Sequence, residues 1–357
     1  MIKTSRVERS LVFGASLAVA LCVGLPAKAG SYTAEYVFGD SLSDRGNLDE
    51  YFAHNFASPF LSPPTFHGSF TNGDVSVQVL AQSLGLNANP SLWVTNFSDP
   101  AGLFGGASFV PGTNYAVAGA TAVAQAVGGP SLINLPYQVG AFSTFEGGAA
   151  PSSGLYVVDI GGNDVRNAVL QNTGLTAVAA GAAAEVAAIT TLADEGAKNF
   201  LIVNVPNVGA IPEFALYDSS QAGEATTYSQ DYNTYLESDL ARLTLPSGVT
   251  LDQFDSYAYN ANILANAASL GFTNTTDPCY TDTPWSAATT AECGANAENI
   301  KSFAFWDAIH PTAGVQALVA VGMEQAIPEP SAWAMLLVGF AALGAAARRR
   351  SATAARG

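Results

Sequence analysis

Leu155-Tyr156-Val157-Val158-Asp159-Ile160-Gly161-Gly162 carries apolar residues at both parities of a short run and then stops on two glycines. A strand buried on one face alternates apolar and polar residues, whereas a strand apolar on both faces belongs inside a covered sheet. Tyr36-Val37-Phe38, ending at Gly39-Asp40-Ser41, and Phe200 to Val205, stopped by Pro206, have the same character. Asn114 to Val117 and Val249 to Phe254 read as further strands. Helical stretches separate them: Val75 to Leu84, entered by Asn72-Gly73-Asp74, then the Ala-rich Gly174 to Gly196, then the amphipathic Thr226 to Leu243. A last helix is expected to begin near Pro311, with proline at its first position, and to run to Gln325. This alternation predicts a three-layer α/β/α fold around a central, mainly parallel sheet. The stretch from Gly30 to Ile327 has no internal repeat and no dividing linker, so it is read as one domain of about 300 residues.

The two ends read differently from this core. Lys3, Arg6 and Arg9 precede an apolar run from Leu11 to Gly24, and Ala27-Lys28-Ala29 fits a small-x-small cleavage site. Residues 1–29 are therefore expected to be a secretory signal peptide, with a retained membrane anchor as the alternative. At the other end Pro328-Glu329-Pro330 precedes an apolar run from Ser331 to Ala347, followed at once by Arg348-Arg349-Arg350. As a helix that run would span about 25 Å, barely a bilayer core, and the arginines would stay on the cytoplasmic side. The arrangement closely resembles the PEP-CTERM sorting signal of Gram-negative bacteria. The resemblance implies transient inner-membrane anchoring through residues 331–347, processing of residues 328–357 by an exosortase-type enzyme, and export to the cell surface or beyond. A permanent tail anchor is the alternative.

Without these ends the chain keeps five basic residues against 27 acidic ones, a net charge of −22. Such a surface repels nucleic acid and anionic lipid, and it keeps an exported protein in solution. Cys22 lies in the signal segment, which leaves Cys279 and Cys293 as the only mature pair. In an oxidising compartment they are expected to form a disulfide, the alternative being two free thiols.

Ser41 follows the first strand, and Asp307 stands three residues before His310 ahead of the last helix. Serine, histidine and aspartate are the parts of an activated-serine nucleophile. The chain has three histidines: His54 and His67 read as loop residues, while His310 has a carboxylate in reach. In a turn entering a helix, the Asp307 spacing can put the carboxylate beside one ring nitrogen and leave the other for the serine. Ligands of open parallel sheets bind outside the carboxyl ends of the strands, where Ser41, Gly119 and Asn163 all fall. The sequence requires no cofactor and shows no metal-binding motif.

These stretches resemble the GDSL or SGNH-type esterase/lipase family in order and spacing. Gly39-Asp40-Ser41-Leu42 with Ser43-Asp44 and Gly46-Asn47 matches the first block, Asn114-Tyr115-Ala116-Val117-Ala118-Gly119-Ala120 the second. Gly161-Gly162-Asn163-Asp164 matches the third and Trp306-Asp307-Ala308-Ile309-His310-Pro311-Thr312 the last. Phe70-Thr71-Asn72-Gly73 and Val203-Asn204-Val205-Pro206-Asn207-Val208-Gly209 look like its connecting signatures. The closing block is most similar to the branch holding thermolabile haemolysins and phospholipid-cholesterol acyltransferases. The resemblance implies a flavodoxin-like fold and an esterase or lipase with nucleophile Ser41, base His310 and orienting Asp307. It also implies an oxyanion hole from the N–H groups of Ser41 and Gly119 and the amide of Asn163. Many relatives have two glycines in the second block where this chain has Ala118-Gly119. Asp40 and Asp164 are expected to hold turns rather than touch substrate, and Asn47 is open to either role. The substrate is expected to be a small or lipid ester, with carbohydrate deacetylase, lysophospholipase or acyltransferase, and a non-catalytic surface protein as alternatives. The stretches Phe56–Phe66 and Trp93–Phe109 could cover the site or be ordinary loops.

Overall fold

The computed structural model describes residues 32–56, 66–91, 93, 112–124, 131–280 and 297–327. The expected signal peptide, the sorting tail, Cys293 and most of the two candidate covering stretches lie outside them. In chain order the elements are β1 (Glu35–Gly39), α1 (Asn47–Phe56), α2 (Ser76–Ser83), α3 (Leu135–Phe145), β2 (Leu155–Asp159), α4 (Gly162–Leu170), α5 (Gly174–Asp194) and β3 (Asn199–Val203). They continue as α6 (Ala222–Leu240), β4 (Thr250–Phe254), α7 (Ser256–Ala265), β5 (Asn274–Pro278), α8 (Ala297–Ile300), β6 (Phe303–Phe305) and α9 (Ala313–Ala326).

The two-faced apolar strands are central, as their composition requires. The main sheet runs β1-β2-β3-β4 with every pair parallel, Val37 opposite Val157 and Val157 opposite Leu201. Side-chain alternation then divides the core. Tyr36, Phe38, Tyr156, Val158, Phe200 and Ile202 pack against α3, α4, α5 and α6. Val37, Leu155, Val157, Leu201 and Val203 pack against α2, α7 and α9. Each β-branched or aromatic side chain thus meets a helix whichever way it points, which is the three-layer arrangement expected. Rings of Tyr36, Phe142 and Tyr156 meet edge-on or stacked at 5.1–5.8 Å, favourable spacings for aromatic pairs.

Asn114 to Val117 is extended beside β1 but meets it through a single parallel bridge, Val37 to Asn114, rather than as a full strand. Its hydrogen bonds still track β1: Val37 N–H donates to the Thr113 carbonyl, and Tyr115 and Val117 N–H donate to Val37 and Gly39. Counted with it, the strand order is the doubly wound one in which the chain first steps to one side of β1 and then returns to the other. The carboxyl end of β1 is then the crevice where such sheets bind ligands.

Two local expectations are corrected and one element is added. Pro311 is not the first residue of the last helix; it bridges back to Phe305, and Thr312 precedes the helix instead. His54 lies in helix α1 rather than in a loop. The parallel pair β5–β6 is an additional small sheet; β5 is built from polar residues that gave no strand signal, whereas β6 is Phe303-Ala304-Phe305.

Glu35 begins β1 on the same face as Val37. It is fully buried, and neither carboxylate oxygen has a hydrogen-bond partner. Burial holds its carboxyl well above the usual carboxylate range, which favours the neutral form. An unsatisfied buried polar group costs about 1–3 kcal/mol, and an apolar group of similar shape removes that cost. Glu35→Met is therefore expected to raise the unfolding free energy by about 1–3 kcal/mol in urea denaturation; unchanged or lowered stability would show that the carboxyl is satisfied in solution.

Candidate active site

The candidate site is assembled at the carboxyl end of β1. Gly39, the last residue of that strand, lies so close to β2 that an added Cβ would collide with the Asp159 carbonyl oxygen. The chain then turns sharply. The Asp40 carbonyl accepts from Ser43 and Asp44 N–H, and its Oδ1 accepts from Leu42 N–H at 3.0 Å. Asp40 holds the turn, as expected, and leaves Ser41 at its apex.

Ser41 Oγ lies 2.7 Å from His310 Nε2, and His310 Nδ1 lies 2.7 Å from Asp307 Oδ2. All three residues are buried or nearly so. Asp307 Oδ1 also accepts from the N–H groups of Ile309 and His310, both at 2.7 Å. The turn expected from the Asp-x-x-His spacing thus forms, and the carboxylate orients both the loop and the ring. The Phe70 block holds this loop from the other side. Thr71 Oγ1 donates to the Pro311 carbonyl, Asn72 Oδ1 accepts from Ala313 N–H at 2.8 Å, and the Phe70 ring lies 5.4 Å from the imidazole.

Asn163 lies in the first turn of α4, and its Nδ2 donates to the Ala120 carbonyl at 2.9 Å. That bond ties it to the residue after Gly119 and leaves the second amide hydrogen uncommitted. Gly119 adopts φ +83°, while an added Cβ would meet only Ile133 Cδ1 at 3.8 Å. Its backbone conformation, not lack of room, therefore calls for glycine. Ala118 beside it is buried and donates its N–H to Asp44, so a single glycine suffices to turn this segment. Among the described residues, the N–H groups of Ser41 and Gly119 donate to no protein acceptor. His67 lies in a turn with φ +51°, and no contact joins it to Ser41.

Asn47 proves structural: its Nδ2 donates to the carbonyls of Asn114 and Ala116. Asp164 does as expected, accepting from Ala122 and Val123 N–H. Three supports were missed in the sequence. Gln138 brackets Gly39, accepting its N–H at 2.8 Å and donating to its carbonyl at 2.7 Å. Asp159, the one acid in an apolar strand, accepts from Ser43 Oγ at 2.6 Å; that lone charge was the available signal. Arg166, one turn beyond Asn163, pairs in bidentate fashion with Glu213, whose N–H donates to the Ala308 carbonyl. It links α4 to the loop carrying His310.

The site is thus backed by buried acids. Burial raises Asp44 and Asp159 to about 6 and Asp164 to about 7, although backbone or hydroxyl hydrogen bonds oppose each rise. Burial and the neighbouring Asp159 also raise Asp40 well above the usual carboxylate range.

The chain belongs to the GDSL-like lipase/acylhydrolase family, whose profile matches residues 36–322. Residues 326–350 match the PEP-CTERM protein-sorting motif. Thermolabile hemolysin of Vibrio parahaemolyticus is 27% identical over 295 residues, covering 80% of this chain and 61% of that protein. Lipase 1 of Photorhabdus luminescens is 31% identical over 221 residues, 60% of this chain and 28% of the lipase. Phosphatidylcholine-sterol acyltransferase of Aeromonas hydrophila is 26% identical over 342 residues, 85% and 92% of the two chains. The match therefore spans about three-fifths of the hemolysin and little over a quarter of the lipase.

Acids that titrate higher in the folded than in the unfolded chain make the fold bind more protons. Their contribution to stability is full below the ordinary aspartate range and is lost as pH rises through the folded values. The melting temperature is expected to fall from about pH 5 to about pH 8, and Asp164→Asn to flatten that slope. Differential scanning calorimetry across this range checks both; a melting temperature that rises with pH contradicts the assignment.

Proposed function

We propose that this chain is a carboxylic ester hydrolase that works through an acyl-enzyme on Ser41. The continuous hydrogen-bonded line Asp307–His310–Ser41, with Ser41 at the apex of a tight turn, carries the reading. His310 Nε2 takes the Ser41 proton as Oγ attacks the ester carbonyl, while Asp307 holds the Nδ1–H tautomer and stabilises the imidazolium. The N–H groups of Ser41 and Gly119 and the free amide hydrogen of Asn163 receive the negative charge that develops on the carbonyl oxygen. The tetrahedral adduct collapses as His310 passes its proton to the departing alcohol. Water, deprotonated by the same imidazole, then attacks the acyl-Ser41 ester and releases the carboxylic acid. No external oxidant, metal or cofactor is needed to balance these steps.

Lipid esters are the substrate class that family membership and the similarity to a hemolysin and a lipase support. The site's fold could also serve deacetylation of carbohydrates or acyl transfer. The sorting motif supports export, with residues 1–29 as the signal peptide, residues 30–327 as the hydrolase domain, and exosortase processing of a briefly anchored tail. In that setting Cys279, buried against Trp306, pairs with Cys293.

Ser41→Ala is expected to lower p-nitrophenyl butyrate hydrolysis by at least about a thousandfold and to abolish labelling by a fluorophosphonate probe. Retained turnover would remove Ser41 from the mechanism, and an unlabelled wild-type protein would favour a non-catalytic surface role. Asn163→Ala should lower kcat by about a hundredfold with little change in KM, because its hydrogen bond is called on only as the oxyanion forms. An effect confined to KM would place Asn163 in ground-state binding.

A further inference from the structure

A cavity of about 300 Å³ opens beside Ser41. Its walls divide by chemistry. At one end stand Asp40, Ser41 and Asn163; beyond them it runs between β3, α7 and α9, past Val203, Ile211, Ile263, Leu264, Val315 and Val319. Four of these six, Val203, Ile263, Val315 and Val319, belong to the apolar core on that face of the sheet.

The polar residues along this wall are already engaged with one another. Gln316 Oε1 accepts from Ser76 N–H at 3.0 Å, and Asn260 Nδ2 donates to Ser256 O and Oγ at 2.9 Å. Arg166, the one basic residue among the described residues that line the cavity, is held in its bidentate pair with Glu213. A ligand there meets methyl and methylene groups with no unengaged positive charge, which suits a hydrocarbon and not a headgroup or sugar. Ser41 lines the cavity but His310 does not. The leaving alcohol must lie within reach of the His310 proton, so the part of the substrate inside the cavity is the one that stays on Ser41.

We propose that this cavity holds the acyl chain, that Ile263, Leu264 and Val319 limit its length, and that the substrate is an ester of a medium-chain fatty acid. The proposal rests on the ester-hydrolase reading of Ser41. At roughly 30 Å³ for each water-sized unit, the cavity accommodates a chain of about ten carbons at most. Each methylene buried against such a wall favours the bound state by roughly fourfold. An acetyl group leaves most of the cavity unused, and a sixteen-carbon chain exceeds it.

The test measures kcat/KM of the purified full-length protein on p-nitrophenyl esters from acetate to palmitate in one detergent, with Ser41→Ala as blank. A parallel series varies the alcohol of octanoate esters. Activity is expected to rise at least tenfold from acetate to octanoate and to fall at least tenfold from decanoate to palmitate, with weak dependence on alcohol length. Leu264→Trp, which fills the cavity from a half-buried position, should lower the octanoate-to-butyrate ratio at least tenfold. Val319→Ala, which deepens it, should move the optimum to longer chains; it also keeps the test decisive if the tryptophan variant fails to fold by circular dichroism. A profile that falls steadily from acetate, an optimum that Val319→Ala leaves in place, or a length dependence on the alcohol side overturns the assignment while Ser41-dependent turnover persists. Absence of Ser41-dependent turnover across the series overturns the ester-hydrolase reading itself, and the acyl cavity with it.

Discussion

One buried carboxylate holds the rim of this sheet together. Asp44, with no exposed surface, accepts the N–H groups of Gly46 and Asn47 at Oδ1 and those of Leu48 and Ala118 at Oδ2. The first three fix the entry into α1; the fourth reaches 74 residues ahead to the segment that carries Gly119. Asn47 and Asn114 reinforce the same joint, the one donating to the Asn114 and Ala116 carbonyls and the other to the Ser43 carbonyl. Because that edge segment meets β1 through only one bridge, side-chain hydrogen bonds take over the work a full strand ladder would do. The Ser41 turn and the Gly119 segment are therefore tied to each other, so that on the proposed mechanism a donor is preorganised where charge develops.

The arrangement exacts a cost in stability. Asp40, Asp44, Asp159 and Asp164 are gathered in a poorly hydrated region behind Ser41, and burial raises each of them. Clusters of perturbed acids are typical of sites in which geometry, not stability, has been favoured. Here Asp40, Asp44 and Asp164 serve as acceptors for backbone N–H groups in tight turns, and Asp159 accepts from the Ser43 hydroxyl. The apolar cavity adjoins this polar block across Ser41 itself, so the reacting carbon would lie at the border of two solvents of different polarity.

The sequence made the sheet legible because its central strands are apolar at both parities, as in Val157-Val158 and Leu201-Ile202. It made Ser41, Asp307 and His310 legible because each lies in a block with local grammar: a turn after a strand, or a carboxylate three residues from an imidazole before a helix. What escaped it depends on distance. Gln138 reaches Gly39 across 99 residues and Asp159 reaches Ser43 across 116, and neither pairing leaves a periodic trace. Arg166 and Glu213, 47 apart, are individually ordinary charged residues. Pro311 was misplaced by one rule overriding another: proline suits the first turn of a helix, but here Thr312 takes the boundary and proline bridges back to β6. Asn274–Pro278 gave no strand signal, because its residues are polar and its pairing lies outside the main core.

Ser41 and His310, hydrogen-bonded to one another, are 269 residues apart in the chain. A chain that emerges amino end first exposes its serine long before its base exists. Sheet, turn and glycine segment can all be in place while the hydroxyl remains an ordinary alcohol. On the proposed mechanism the serine becomes reactive only once α9 packs on α2 and the His310 loop is tied to Thr71 and Asn72. A nascent or truncated chain that ends before residue 310 therefore carries, on the proposed mechanism, the serine without its base.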